Sequence, residues 1–316
     1  MPADQLIIAP AVKAALNAKS AVVALESTII THGMPYPANA ETAREVEAEV
    51  LASGAVPATI ALIDGALHVG LEAGELDALA RNKSAAKASR RDLALLVAER
   101  RTAGTTVAAT MLIAARAGIT VFATGGIGGV HRNAELSFDI SADLIELSRS
   151  PVAVVCAGAK SILDLPKTLE VLETYGVPVV GYRTSEFPAF FSRTSGLKLE
   201  HRLDDAQAVA EAIRTHRLLG MTGGLLICNP LPTVDEVPAE EINPRIDAAL
   251  AEAAARGIAG KDLTPYLLGR LVELTGGKSL IANRKLIRAN ARLAGEIAVA
   301  MCEEAKPGPF GFLASR

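Results

Sequence analysis

Short apolar runs rich in β-branched residues alternate along this chain with longer stretches in which Ala, Leu, Glu and Arg recur at helical spacing. The first pattern is that of buried strands and the second that of amphipathic helices, so their alternation predicts a sheet covered by helices. Strands are predicted over Ala21 to Leu25, Ile119 to Ala123, Val152 to Ala157, Val177 to Tyr182 and Gly223 to Cys228. A helix over Asn39 to Leu51 is predicted to open on Asn39 as its cap and to close before Gly54. Further helices are predicted over Val107 to Ala117, ended by Gly118, over Leu165 to Tyr175, stopped by Gly176, and near Arg245 to Arg256 and Ile281 to Ala300. Thr59 to Ile63 and Ala66 to Val69 flank Asp64-Gly65, a two-residue hairpin signal. The expected class is therefore α/β, with a mixed, mainly parallel central sheet covered by helices on both faces (α/β/α). No linker, repeat or low-complexity tract interrupts the pattern, so a single domain over residues 1–316 is expected.

Composition narrows the function. The net charge is -3, the positive residues are scattered, aromatics are 3% and Trp is absent. A nucleic-acid surface wants a basic stripe and stacking platforms, so the expected partner is a small molecule and not a nucleic acid. Cys156, Cys228 and Cys302 are far apart without CxxC spacing and read as reduced core residues. No stretch is apolar for the ~20 residues that a membrane helix needs, and the first residues lack a basic leader followed by an apolar run. A soluble cytoplasmic protein with no membrane partner is expected.

In open α/β sheets ligands sit beyond the carboxyl ends of strands, so polar residues that follow strands are the candidates for chemistry. Lys160 ends the run VAVVCAGAK, where desolvation would disfavour its charged form and make it a nucleophilic amine. A solvated lysine with a packed stem is the alternative. Glu26 follows the strand Ala21 to Leu25 among hydroxyls and apolar residues, and there it is either a proton donor with a raised pKa or an acid tied to a hydroxyl or an amide. The loop Thr124-Gly125-Gly126-Ile127-Gly128-Gly129, which runs into His131, either lets backbone approach a ligand or is only a turn. Asp139 and Asp143 offer hard oxygen ligands for Mg²⁺ or Mn²⁺, but an N-cap at Ser141 with Asp143 in the first turn accounts for the same residues. Lys87 in the basic turn KASRRD, with Gly104-Thr105-Thr106-Val107 opening a helix, is a candidate phosphate cradle or a solvated turn.

The segments ALESTIITHGMPYPAN, KASRRDL, GTTVAATM, FATGGIGGVHR, FDISADL, CAGAKSILDLPKTLE, GVPVVGYRTSEFPAFF and SLIANRKLI resemble, in order and wording, the pseudouridine-5'-phosphate glycosidase family. The resemblance runs from about Ile7 to Glu304 and so covers nearly the whole chain. It implies reversible cleavage of the C–C glycosidic bond of pseudouridine 5'-phosphate to uracil and ribose 5-phosphate. It further implies Lys160 as covalent nucleophile, Glu26 as proton donor and Asp139 as ligand of a manganese ion, Mn²⁺, one per subunit. Ser141, Ala142, Asp143, Lys87, Thr106 and Val107 match substrate-contact positions, and His131 and Asn283 lie in motifs near the site. A homotrimer is implied as well. A Schiff-base aldolase acting on a sugar phosphate and a non-catalytic sugar-phosphate sensor are the alternatives from the residues alone.

Overall fold

The structure is a computed structural model that describes residues 6–258 and 260–303. Eleven strands form its sheet: β1 (Leu6–Ile8), β2 (Val22–Leu25), β3 (Val56–Ile63), β4 (Ala66–Val69), β5 (Ala86–Ala88), β6 (Ala103–Thr105), β7 (Val121–Ala123), β8 (Ala153–Cys156), β9 (Val179–Tyr182), β10 (His201–Leu203) and β11 (Leu226–Cys228). Their order is β1-β4-β3-β2-β7-β8-β11-β9-β10, with β6 pairing β3 and β5 pairing β6. Pairing is parallel throughout except where β3 meets β4 and β6. This is the mixed, mainly parallel sheet that the sequence pattern predicts. Its central strands VVAL, VFA, AVVC and LIC are wholly buried, as expected where helices cover both faces.

β3 is where the sheet changes character. Val56 to Thr59 pair in parallel with β2, whereas Ile60 to Ile63 pair antiparallel with β4 through a hairpin at Asp64-Gly65. Both turn residues have positive φ, 49° and 80°, the conformation that a tight two-residue hairpin demands. At the switch, the Ile60 carbonyl accepts hydrogen bonds from the hydroxyls of Ser27, at 2.6 Å, and Thr105, at 2.7 Å. Two motif hydroxyls are thus spent on satisfying a buried backbone group at the bend.

Helix Lys278–Cys302 packs on β2, β7 and β8 and on the helices Ala38–Ala52 and Ala206–Leu218. Glu49 clamps two of these helices: its carboxylate accepts from Arg288 and Arg292, each at 2.7 Å. Burial alone would raise the pKa of Glu49, but the two guanidinium groups hold it below the usual carboxylate range. Helix Val107–Ala117 packs on β2, β3 and helix Ala142–Leu147.

The predicted elements are all present, with ends shifted by a few residues. The cap of the first long helix is corrected: the helix is Ala38–Ala52 and Asn39 lies inside it. Asn39 is buried, and its Nδ2 donates to the carbonyls of Ile30, at 2.6 Å, and Ala80, at 2.9 Å. A polar side chain that reads as a local cap was recruited by a long-range contact instead. Among the described residues, no helix is long and apolar enough to cross a membrane.

Candidate active site

Because β2, β7, β8 and β11 run parallel, their carboxyl ends open on one side, and Glu26, Thr124, the loop to Lys160 and Asn229 issue from that side in turn. Glu26 is half-buried directly after β2. The Thr124 hydroxyl donates to its Oε1 and the Thr28 hydroxyl to its Oε2. Both carboxyl oxygens are thereby fixed in direction.

Lys160 follows β8 through Ala157-Gly158-Ala159, and this segment does not hang free. Thr124 N donates to Val155 O at 3.0 Å, Ala157 N to Gly125 O at 2.9 Å, Ile127 N to Gly158 O at 3.1 Å and Lys160 N to Ile127 O at 3.1 Å. The Gly-rich loop and the lysine segment thus continue the β7–β8 ladder beyond the strands. The lysine backbone is held by a run of hydrogen bonds up to its own N–H.

The glycines of that loop answer to the protein itself. A Cβ at Gly126 would stand 2.6 Å from the Phe190 ring, and one at Gly128 would collide with Ser141 and stand 2.8 Å from Asp143 Oδ2. Their absence of a side chain allows close packing of backbone against these groups. Asn283, on helix Lys278–Cys302, lies over the same loop, with its Oδ1 3.4 Å from where a Cβ on Gly125 would sit.

Asp143 is buried, and its two oxygens accept from different backbone amides, Ala108 N at 2.9 Å and Gly128 N at 2.8 Å. Ser141 caps the short helix Ala142–Leu147 by accepting from Asp143 N at 3.2 Å. Thr106 caps helix Val107–Ala117, where Val107 is the buried first residue, by accepting from Ala109 N at 3.4 Å. Asp143 therefore fills part of the helix N-terminus that an anion could otherwise occupy, and it ties that helix to the Gly-rich loop.

Lys87, in β5, is the cation placed toward this centre. Its pKa is lowered, first by burial and then by the positive charge of Lys160, against the pull of Asp143, Glu26 and Asp262. Arg90 of the same basic turn is directed elsewhere, to the buried Glu146 at 2.6 Å. His32, in the helical turn Ile29–Gly33, is held below its ordinary pKa by burial and then by Lys87. His131 is likewise lowered, with burial leading, Asp139 opposing, and Lys160 and Lys87 adding to the effect. These mutual influences bring Glu26, Lys87, His131, Asp139, Asp143 and Lys160 into one electrostatic neighbourhood.

Asp139 is partly exposed, and its Oδ2 lies 4.0 Å from His131 Nδ1. No group of three or more His, Cys, Asp or Glu side chains able to hold a metal is present among the described residues. A single carboxylate beside an imidazole fits a divalent ion that keeps most of its water, and does not fit a closed all-protein cage.

Three features of the site were not singled out from sequence. Thr28 and Thr124 lie within the segments that the sequence marks around Glu26 and the Gly-rich loop, but the sequence gives neither a role of its own. Asn290, which holds the Thr124 carbonyl at 2.8 Å, sits in the middle of a helix with nothing local to mark it.

An acid and a lysine beyond the carboxyl ends of β2 and β8, with only β7 between them, and a second lysine and a histidine in the same electrostatic neighbourhood, define an enzyme of covalent or acid–base chemistry. The chain belongs to the pseudouridine-5'-phosphate glycosidases, and residues 11–300 match the family model described as Indigoidine synthase A like protein. The pseudouridine-5'-phosphate glycosidase of Methylobacterium nodulans is 58% identical over 309 residues, covering 98% of this chain and 92% of its own. That of Sorangium cellulosum is 60% identical over 301 residues, covering 95% of each chain. Among solved structures, the prealnumycin C-glycosynthase AlnA in complex with ribulose 5-phosphate superposes with a TM-score of 0.87 at 41% identity, covering 95% of this chain and 98% of its own. An indigoidine synthase A-like protein of Thermotoga maritima superposes at 0.85 with 36% identity, covering 94% of this chain and 97% of its own.

Proposed function

We propose that this protein is an enzyme that reversibly cleaves the C–C glycosidic bond of pseudouridine 5'-phosphate, giving uracil and ribose 5-phosphate, with Lys160 as nucleophile and Glu26 as acid. The observation that carries the roles is the pairing of a lysine pinned by the β7–β8 ladder with a carboxyl group fixed by two hydroxyls at the same strand ends. Relatives of that name at 58% and 60% identity over nearly the full length support the reaction.

The leaving atom is a uracil carbon, which cannot depart with a simple proton as a glycosidic oxygen does. In the proposed sequence Glu26 protonates the ribose ring oxygen, and the C1'–O bond breaks as uracil electrons move toward C1'. Lys160 Nζ adds to C1' and loses a proton, while uracil C5 gains one. The C1'–C5 bond then breaks as the nitrogen lone pair forms an iminium, and water releases ribose 5-phosphate and the free lysine. Each step is easier than direct expulsion of a carbon leaving group.

Lys87, with Thr106 and Val107, is assigned to the phosphate end, where a fixed charge anchors the part of the substrate that does not react, and the Ser141, Ala142, Asp143 segment is assigned to a further substrate contact. His131 and Asn283 are assigned to the walls on either side of the Gly-rich loop. Mn²⁺ is proposed at Asp139; when bound it would polarise ligand oxygens through its waters. The exposed Leu136 and Phe138, at 85% and 83%, precede that aspartate and support an interface between copies of the chain, proposed as that of a homotrimer. A single catalytic domain is part of the reading, supported by an apolar core that includes residues from Val12 to Ala298. A cytoplasmic setting is supported by three free cysteines, two of them buried.

Borohydride reduction in the presence of ribose 5-phosphate, followed by peptide mapping, tests the covalent role. A pentose phosphate adduct on Lys160 is expected; an adduct on Lys87 instead would reverse the two lysine assignments. Mn²⁺ titration followed by electron paramagnetic resonance should show binding that Asp139→Asn abolishes, and unchanged binding in that variant would move the metal elsewhere.

A further inference from the structure

The acid Glu26 is one member of a longer arrangement that runs through Thr124 to Asn290 and Asn229. Its Oε1 accepts from the hydroxyl of Thr124, a residue 98 positions away in the chain and fully buried. Its Oε2 accepts from Thr28, which is only half-buried. The carboxyl group therefore has an inward oxygen, Oε1, and an outward oxygen, Oε2.

Thr124 is itself immobilised on every polar atom. Its N–H donates to Val155 O at 3.0 Å. Its carbonyl accepts from Asn290 Nδ2 at 2.8 Å, and the same nitrogen lies 3.3 Å from Gly125 O. Asn290, fully buried in helix Lys278–Cys302, accepts at Oδ1 from Asn229 Nδ2 at 3.1 Å, and Asn229 N donates to Cys156 O at 2.8 Å. Two carbonyls on one side and a donor on the other fix which way the Asn290 amide points. A buried amide so placed is costly to leave unsatisfied, and it fixes the first residues of the β7 loop from behind.

We propose that Thr124 is the positioning residue for the acid, and that Asn290 acts through Thr124 to hold it. The buried hydroxyl of Thr124 keeps Oε1 as an acceptor, whereas the half-buried hydroxyl of Thr28 can turn to accept instead of donate, so the proton to be delivered resides on Oε2, on the open side. This assignment rests on the reading of Glu26 as the proton donor.

The test is steady-state turnover of pseudouridine 5'-phosphate, with thermal midpoints measured alongside. Thr124→Val and Thr124→Ala should each lower kcat by about ten- to a hundredfold with KM within about twofold, while Thr124→Ser stays near the parent. Activity should thus follow the hydroxyl and not the side-chain volume, which a packing role would track. Thr124→Val placed on Glu26→Gln should cost nothing further, because the group it orients is already disabled. Asn290→Ala should reproduce the kcat loss in the parent and add little to Thr124→Val. Parental kcat in Thr124→Val and Thr124→Ala overturns the assignment, as does a loss that adds in full to that of Glu26→Gln. Parental turnover in Glu26→Gln overturns the reading of Glu26 and this assignment with it, whereas a dead Glu26→Gln beside an unaffected Thr124→Val overturns this assignment alone.

Discussion

Two regions meet in this site and are built by different means. At the ends of β2, β7 and β8, Glu26, Thr124 and Lys160 are positioned by backbone ladder bonds and hydroxyls. Around Lys87, His131 and Asp139, the groups act on one another mainly through charge, across distances such as the 4.0 Å from His131 to Asp139. The first kind of construction fixes direction to within a hydrogen bond; the second fixes charge but leaves direction loose. Bond making needs direction and anion binding needs charge. The contrast supports the proposed division, with chemistry at the strand ends and anchoring at the charged rim.

The contrast breaks most sharply at the two lysines. Lys160→Ala should lower kcat by roughly 10⁴-fold or more with the circular dichroism spectrum unchanged, since the proposed iminium forms on this amine and Lys87 is assigned to binding. Substantial turnover in that folded variant would remove the covalent step. Lys87→Met should instead raise KM by about ten- to a hundredfold and leave kcat within several-fold, as expected of a charge that binds ground state and transition state alike. A kcat loss as deep as that of Lys160→Ala would erase the distinction between the regions.

Asp143 belongs to the strand-end construction despite its charge. Its carboxylate satisfies Ala108 N and Gly128 N from within the protein, so Asp143→Ala should cost on the order of 2–4 kcal/mol of stability, read from denaturant unfolding. Asp139→Ala, on the exposed rim, should fall within about 0.5 kcal/mol of the parent. Equal costs would mean that both aspartates play the same structural part.

The same contrast explains what could be read from sequence. Strands such as Val152 to Ala157 and the Asp64-Gly65 hairpin are set by local rules of burial and turn geometry, so their residues announce them. Glu26 and Lys160 are legible because they immediately follow such strands or sit a short loop beyond them. The Gly-rich loop is half legible: its glycines are required, but by Phe190 and Asp143 of the same chain, which only the folded structure brings near. Asn39 and Asn290 lie beyond sequence rules. Each is a buried amide inside a helix whose partners stand far away along the chain.

The smallest effect is the most diagnostic of the rim, because it concerns charge alone. Burial, and then the charge of Lys160, lower the Lys87 pKa from the ordinary 10.5, so the folded protein releases this proton at a lower pH than the unfolded chain does. Between those two values the unfolded state binds more protons, and stability rises with pH as the window is crossed toward 10.5. Below the window both states carry the charge, and the folded state bears the full cost of burying it. Lys87→Met removes that cost, so it should raise the thermal midpoint at neutral pH, with the gain shrinking as pH approaches 10.5. Lys87→Arg keeps a charge that cannot be shed and should show no such convergence. If Lys87→Met instead lowers the midpoint at neutral pH, then attraction to Asp143, Glu26 and Asp262 outweighs desolvation, and Lys87 belongs with the strand-end groups as a fixed element of the fold.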